Sequence, residues 1–235
     1  MNIEKHVLPV STMEAMTANI FTEIETIVLS KFKDNGRELL QQGIEKFGYK
    51  DAEDIAIKAT KEGVNHSLFD YIPKNHNMNN QYQGLTSFAL FSKLFAQVAK
   101  AVVDFYGKEG EEAIKAGVYA FGEKRGKGIA QRARVNGEDN TINHYLSNYD
   151  MGRSDLFEYE SIFQPENIEQ TFTKCPLGQQ WADDDMHKYG ILYCQMIDPA
   201  IAKGYNPKFE VEHDRYILEE GVCHFNFKLK ESKED

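Results

Sequence analysis

No run of about 18 apolar residues occurs anywhere in the chain, so no segment has the length of a membrane-spanning helix. Met1 to Val10 carries Glu4, Lys5 and His6 with no apolar stretch behind a basic start, which is not the pattern of a secretory leader. Cysteine is scarce: three residues, spaced 19 and 29 apart, with no C-x-x-C pair. That odd count excludes a disulfide framework and the spacing of a zinc finger, and leads us to expect reduced thiols in a cytoplasmic protein. Basic charge is also short, with 27 Lys and Arg against 37 Asp and Glu and a net charge of −10. A phosphate-binding partner needs a basic face, so nucleic acid is excluded. The one basic cluster, Lys124, Arg125, Lys127, Arg132 and Arg134, reads as the solvated surface of a helix. No G-x-S-x-G, no H-E-x-x-H and no phosphate loop occurs. Gly122, Gly126 and Gly128 make no dinucleotide loop either, because no strand precedes them.

What is there is ordinary globular material, 41% apolar and 27% charged over 235 residues, enough for a sizeable core. Ser11 and Glu14 fit a capping box that opens a helix running to about Lys33, broken by Gly36. Leu39, Leu40, Ile44 and Phe47 mark a second helix, and Asp51 is placed to cap a third that ends near Glu62. From Gly63 to Gln83 five asparagines and a proline dissolve the pattern into a long loop, with His66 and His76 as exposed loop histidines. Phe88, Phe91, Leu94, Phe95, Val98, Val102 and Phe105 then repeat at three and four residues and predict the central core helix. The next helix starts at Glu109, Glu111 and Glu112, with basic residues toward its end, as its dipole favours. Glycines inside it are costly and point to close approach of another element.

After Gly137 the texture changes. Leu156 to Phe163 and Gln170 to Lys174 predict a β pair, Asp185 to Ile201 a partly helical stretch, and Phe209 to Leu218 with Val222 to Leu229 an antiparallel hairpin. The fold class is therefore α+β: an N-terminal helical bundle packed on a C-terminal antiparallel sheet of hairpins with an intervening helix. Residues 1–107 read as helical scaffold and 108–235 as an α+β ligand-binding domain, together one compact unit. Chemistry concentrates in the second part. Cys175 leaves a strand at Pro176 and from the residue alone reads first as a small buried hydrophobe, with nucleophile or metal ligand as the functional alternatives. Cys194 and Asp198 are four apart on a helix and share a face. Cys223 alternates with His224 on the last strand, so the two point to opposite faces and Cys223 reads as core. Asp150, Arg153 and Asp155 form the densest polar cluster, either a substrate-carboxylate site on Arg153 or an ion pair bracing a turn. Asn206 bonds local backbone or donates to a ligand.

Tyr149 to Asp155, Cys175-Pro176 with Trp181, Tyr193-Cys194 with Asp198-Pro199, Gly204 to Pro207 and Gly221 to Phe225 stand in an order that resembles the L-2-amino-thiazoline-4-carboxylic acid hydrolase family. The resemblance covers about Phe121 to Phe227. It implies hydrolysis of a C–N bond in a small cyclic amidine or thiazoline that carries a carboxylate. Cys175, Cys194 and Asp198 are then the catalytic candidates, and Asp150, Arg153, Asp155 and Asn206 bind substrate. A non-catalytic sensor or accessory subunit built on the same pocket is the other reading. The C-terminal part is also similar to the 4-vinyl-reductase-type binding domain, in which a Glu-x-x-Cys helps to hold zinc. Here that stretch reads Glu212-His-Asp-Arg215, one thiol short, so the cofactor stays open between none and a single zinc. The partner implied is a small carboxylate-bearing substrate, with no nucleic acid and no membrane; a homo-oligomer is left open.

Overall fold

A computed structural model describes residues 9–152 and 154–229. Helix α1 (Met13–Phe47) starts one residue later than the Ser11 capping box implies, because Thr12 Oγ1 accepts from the Ala15 amide at 3.2 Å. Ser11 instead donates its amide to Asp150 O at 2.8 Å, tying the start of the chain to a distant loop. The expected break at Gly36 lies at Lys33, whose φ of 53° interrupts the helix; Gly36 is buried against Val28. Gly48, at φ 113°, separates α1 from α2 (Tyr49–Lys61). Asp51 is not the cap of α2. It sits buried in the first turn, where Oδ2 accepts the Gln81 amide at 2.8 Å and anchors the long loop. That loop is partly ordered: Leu68–Tyr71 forms a 3-10 turn, and the Tyr71 hydroxyl donates to Glu25 at 2.7 Å. His66 and His76 are half-buried in it; His66 meets Ala56 O at 3.0 Å, and His76 lies 3.4 Å from Glu53.

Helix α3 (Ser87–Tyr106) buries Phe88, Phe91, Leu94, Phe95, Val98 and Val102, each worth about 1.5–3 kcal/mol against exposure. Phe105 departs from this stripe at 63% exposure, while Tyr106 beside it stacks on Phe32 at 3.7 Å. Helix α4 (Lys108–Val135) packs on α1 and α3 and, most extensively, on α8 (Ile197–Tyr205). Two of its glycines set that approach. A Cβ on Gly126 would stand 2.0 Å from Ile201 O, and one on Gly122 would stand 2.6 Å from Ala200 Cβ. Gly128 faces open space and plays no such part.

Between α4 and α8 come the single turn α5 (Ile142–Tyr145), strands β1 (Glu158–Phe163) and β2 (Asn167–Lys174), and helices α6 (Pro176–Asp183) and α7 (His187–Cys194). After α8 follow β3 (Phe209–Arg215), the single turn α9 (Ile217–Glu220) and β4 (Cys223–Leu229). The four strands form one antiparallel sheet in the order β1-β2-β4-β3. Alternation puts Ile168, Phe209, Cys223, Phe225 and Phe227 on its buried face and His224, which bonds Asp214 at 2.7 Å, on the other. The fold is thus α+β, helices first and the sheet last. The hairpin junction differs from the plain turn expected at Glu219 to Gly221, because Ile217–Glu220 coils into α9 before Gly221 closes it at φ 75°.

The α4–α8 seam makes a test of the glycine reading. Gly126→Ala is expected to lower unfolding stability by about 1–3 kcal/mol in denaturant titration, since the backbone it meets cannot move aside as a side chain can. Gly128→Ala, in open space on the same helix, should be neutral or stabilising.

Candidate functional site

The residues Val118, Phe121, Gly122, Arg125, Gly126 and Ile129 recur at three and four and make one buried face of α4. Arg125 therefore enters the interior, and its side chain is 8% exposed. The surface reading of this residue is overturned by its helical phase. Its Nε and Nη2 donate to Asp150 Oδ2 and Oδ1 at 3.0 and 2.7 Å, a two-point fork. The guanidinium carbon lies 5.5 Å from the Phe121 ring centre and 5.4 Å from that of Tyr149. Burial opposes the Arg125 charge, and the neighbouring Tyr149 and Asp150 more than restore it. Asp150, 13% exposed, is placed by the Ser11 amide on its carbonyl and by Arg132, which donates to Asn148 O at 2.9 Å and Pro9 O at 2.7 Å.

Asp198 reaches the same region from the first turn of α8, and Cys194 from the end of α7. Burial pushes the Asp198 carboxyl up to about 6, against a smaller downward pull from Arg125. Cys175 precedes α6 in extended conformation, with Pro176 in the first turn. Burial raises its thiol too, although the amides of Leu177 and Gly178 work the other way. Burial raises Cys194 further, aided by its neighbours Cys175, Cys223 and Asp198. Cys223, whose sulfur accepts the Ile217 amide at 3.2 Å, is pushed up to about 12, again by burial first. All three thiols are therefore protonated at neutral pH. Cys175, Cys194 and Asp198 nonetheless keep some accessible surface. This half-buried cluster, which we call the recess, is the candidate site.

Aromatic side chains complete the walls. Tyr193 packs against Phe91, Phe95 and Trp181, whose indole donates to Ser92 O at 2.8 Å. Burial keeps the phenols of Tyr145, Tyr149 and Tyr193 protonated. On β3, His213 lies between the Tyr216 and Phe225 rings at 3.9 and 4.0 Å, and burial lowers its imidazole to about 4.

Of the residues singled out by sequence, Asp150 pairs with Arg125, Asp198 lies near enough to feel that cation, and Cys175 and Cys194 lie near enough to feel Asp198. Asp155 lies exposed in a turn. Asn206 spends its amide on Asn140 O at 2.8 Å and its oxygen on the Lys208 amide at 2.9 Å, so it braces backbone. Arg153 lies outside the described residues. Among those residues no group of three or more His, Cys, Asp or Glu side chains is arranged to hold a metal ion, so a zinc set does not fit here. No helix among them is long and apolar enough to cross a membrane. Arg125 and Tyr145 were missed by sequence reasoning, although the phase of Arg125 between Gly122 and Gly126 carried its signal.

The buried pair gives an asymmetric expectation. Removing one partner, as in Arg125→Ala or Asp150→Ala, should cost about 3–5 kcal/mol of stability, whereas an Arg125→Met/Asp150→Leu double variant should cost less than either single one. Chemical denaturation of the three proteins checks it.

Residues 87–227 match the family described as L-2-amino-thiazoline-4-carboxylic acid hydrolase. No individual curated protein matches the sequence. Among solved structures, an H-NOX protein from S. oneidensis in the Fe(II)NO ligation state aligns with 91% of this chain and 99% of its own, at 14% identity and a TM-score of 0.42. The matched family stretch runs from α3 to β4 and contains Arg125, Asp150, Cys175, Cys194 and Asp198. Spanning more than half of the sequence and the helices and strands that carry the recess, it establishes that the chain belongs to the L-2-amino-thiazoline-4-carboxylic acid hydrolase family.

Proposed function

We propose that this protein is a hydrolase that opens a small cyclic amidine or thiazoline carrying a carboxylate, a substrate like L-2-amino-thiazoline-4-carboxylate. The family supplies the reaction class. The observation that carries the reading is Asp198, a carboxyl held near 6 by burial in a recess beside a buried cation. A group with that affinity gains and loses a proton near neutrality, as a general base and acid must. Its carboxylate also matches the N–C–N edge of an amidine, which presents N–H donors.

In this reading Asp198 accepts a proton from a water molecule as the water oxygen bonds to the amidine carbon. The tetrahedral carbon then expels a ring atom, which takes the proton back from Asp198, and the ring opens. Each cycle consumes one water and returns Asp198 to its starting state. A thiol of Cys175 or Cys194 is the alternative nucleophile, but burial holds both protonated and no base is hydrogen-bonded to either among the described residues. The same inactive thiols favour a second reading, a protein that binds this ligand without turning it over.

Hydrolysis assays separate these. Asp198→Asn is expected to lose about a hundredfold or more in kcat, and Cys175→Ala to stay within about tenfold of the wild type. The opposite ranking makes the thiol the nucleophile, and saturable binding without turnover in any variant selects the binding protein. The pH dependence follows from the same group. Its folded value is raised, so between an ordinary carboxyl value of 3.8 and about 6 the unfolded chain is ionised at Asp198 while the folded one is not. The contribution of Asp198 to stability therefore falls as pH rises through that window. Asp198→Asn should gain Tm relative to the wild type from pH 4 to 6 and hold that gain above it, and kcat/KM of the wild type should rise through about 6.

A further inference from the structure

Tyr145 is the wall of the recess that the chemistry above leaves idle. Its side chain is 1% exposed, and its hydroxyl is buried with no hydrogen-bond partner among the described residues. Two other buried tyrosines do not share this condition: the Tyr205 hydroxyl donates to Thr141 O at 2.8 Å, and that of Tyr71 to Glu25 at 2.7 Å. The ring of Tyr145 is fixed by Tyr149, Tyr205, Phe209 and Phe227, with centres 4.9–5.7 Å away, so the hydroxyl has no route to water by a small rotation. A buried phenol left unpaired costs free energy that the rest of the fold does not return. An orphaned donor of this kind is explained by a group that arrives from outside.

The groups whose charges act on Tyr145 are Tyr149, Asp198, Arg125 and Asp150. Asp150 occupies only the Nε–Nη2 edge of the Arg125 guanidinium. The Tyr149 hydroxyl is hydrogen-bonded to the Arg125 side chain, and Tyr193 also lies close enough to act on the same cation. We infer that the hydroxyl of Tyr145, next to Tyr149 and the Arg125 guanidinium on which Tyr149 packs, forms a subsite for the carboxylate of the ligand. The guanidinium offers donors only and a neutral phenol adds an O–H that can donate, which suits an acceptor-only anion with two oxygens. Charge restricts the class further. Asp150 and Asp198 already face this one arginine, so a phosphate dianion would be repelled more strongly than a carboxylate monoanion. The inference deepens the hydrolase reading by placing the substrate's carboxylate, and rests on it only for the ring to which that carboxylate is attached.

Titration calorimetry at pH 7 with L-2-amino-thiazoline-4-carboxylate and with 2-amino-2-thiazoline, its decarboxylated counterpart, tests the subsite in wild type and Tyr145→Phe. The wild type is expected to bind the carboxylate compound at least about tenfold more tightly, and Tyr145→Phe to reduce that preference by about tenfold while leaving the affinity for 2-amino-2-thiazoline unchanged. Tyr145→Phe removes an unpaired hydroxyl, so its Tm should match or exceed the wild type, which keeps the comparison free of misfolding. Equal affinity of the wild type for both compounds, no binding of either, or an equal loss for both in Tyr145→Phe overturns the subsite. A carboxylate preference that persists in a protein without turnover supports the subsite and sets the hydrolase reading aside.

Discussion

The bidentate pair of Arg125 with Asp150 is the constraint on which the site depends. A guanidinium with 8% of its side chain exposed cannot remain there without a partner, and its partner comes from a loop that has little regular structure of its own. The pair therefore does two things at once. It permits a permanent cation inside the protein, and it fixes the loop from Tyr145 to Asp150 against α4. The Asp198 carboxyl is tuned within the same enclosure, where burial raises it and the cation limits the rise. Loss of the pair would leave a charge without its counterpart and also release the phenols of Tyr145 and Tyr149 from their positions.

Close helix packing is what brings the second half of the site to the first. Gly122 and Gly126 on α4 and Gly204 on α8 let two backbones meet where any side chain would hold them apart. Asp198 lies on α8 because of that contact, one turn beyond Cys194 on α7. The sheet then closes the recess from the other side with Cys223, Phe225 and His213. Rigid elements carry Arg125, Cys194 and Asp198, and only Asp150 with its neighbouring tyrosines depends on a loop.

Much of this was legible in the residues. The period of Phe88 to Val102 predicted the core helix, and the alternation of Cys223 to Leu229 predicted the last strand with Cys223 and His224 on opposite faces. The i, i+4 relation of Cys194 and Asp198 assumed one continuous helix, whereas the chain ends α7 at Cys194 and starts α8 at Ile197, so the two do not share one helical face. Arg125 was hidden because it shares a basic run with residues that do face solvent; Lys124 and Lys127, on either side of it, are exposed. Charge composition drew attention to the run, and only the phase of the glycines told its members apart. The ends of α1 and α2 shifted for local reasons: Thr12 took the capping role from Ser11, and Asp51 served a distant amide. The Arg125–Asp150 pairing itself depends on tertiary approach that no spacing in the sequence expresses.

The amide of Ser11 on the Asp150 carbonyl joins positions 139 residues apart, and the recess gathers side chains from α4, the following loop, α6, α7, α8 and the sheet. Closing contacts of such separation costs more chain entropy than forming local helical turns. Helix content alone therefore does not report whether these side chains have been gathered into a working site.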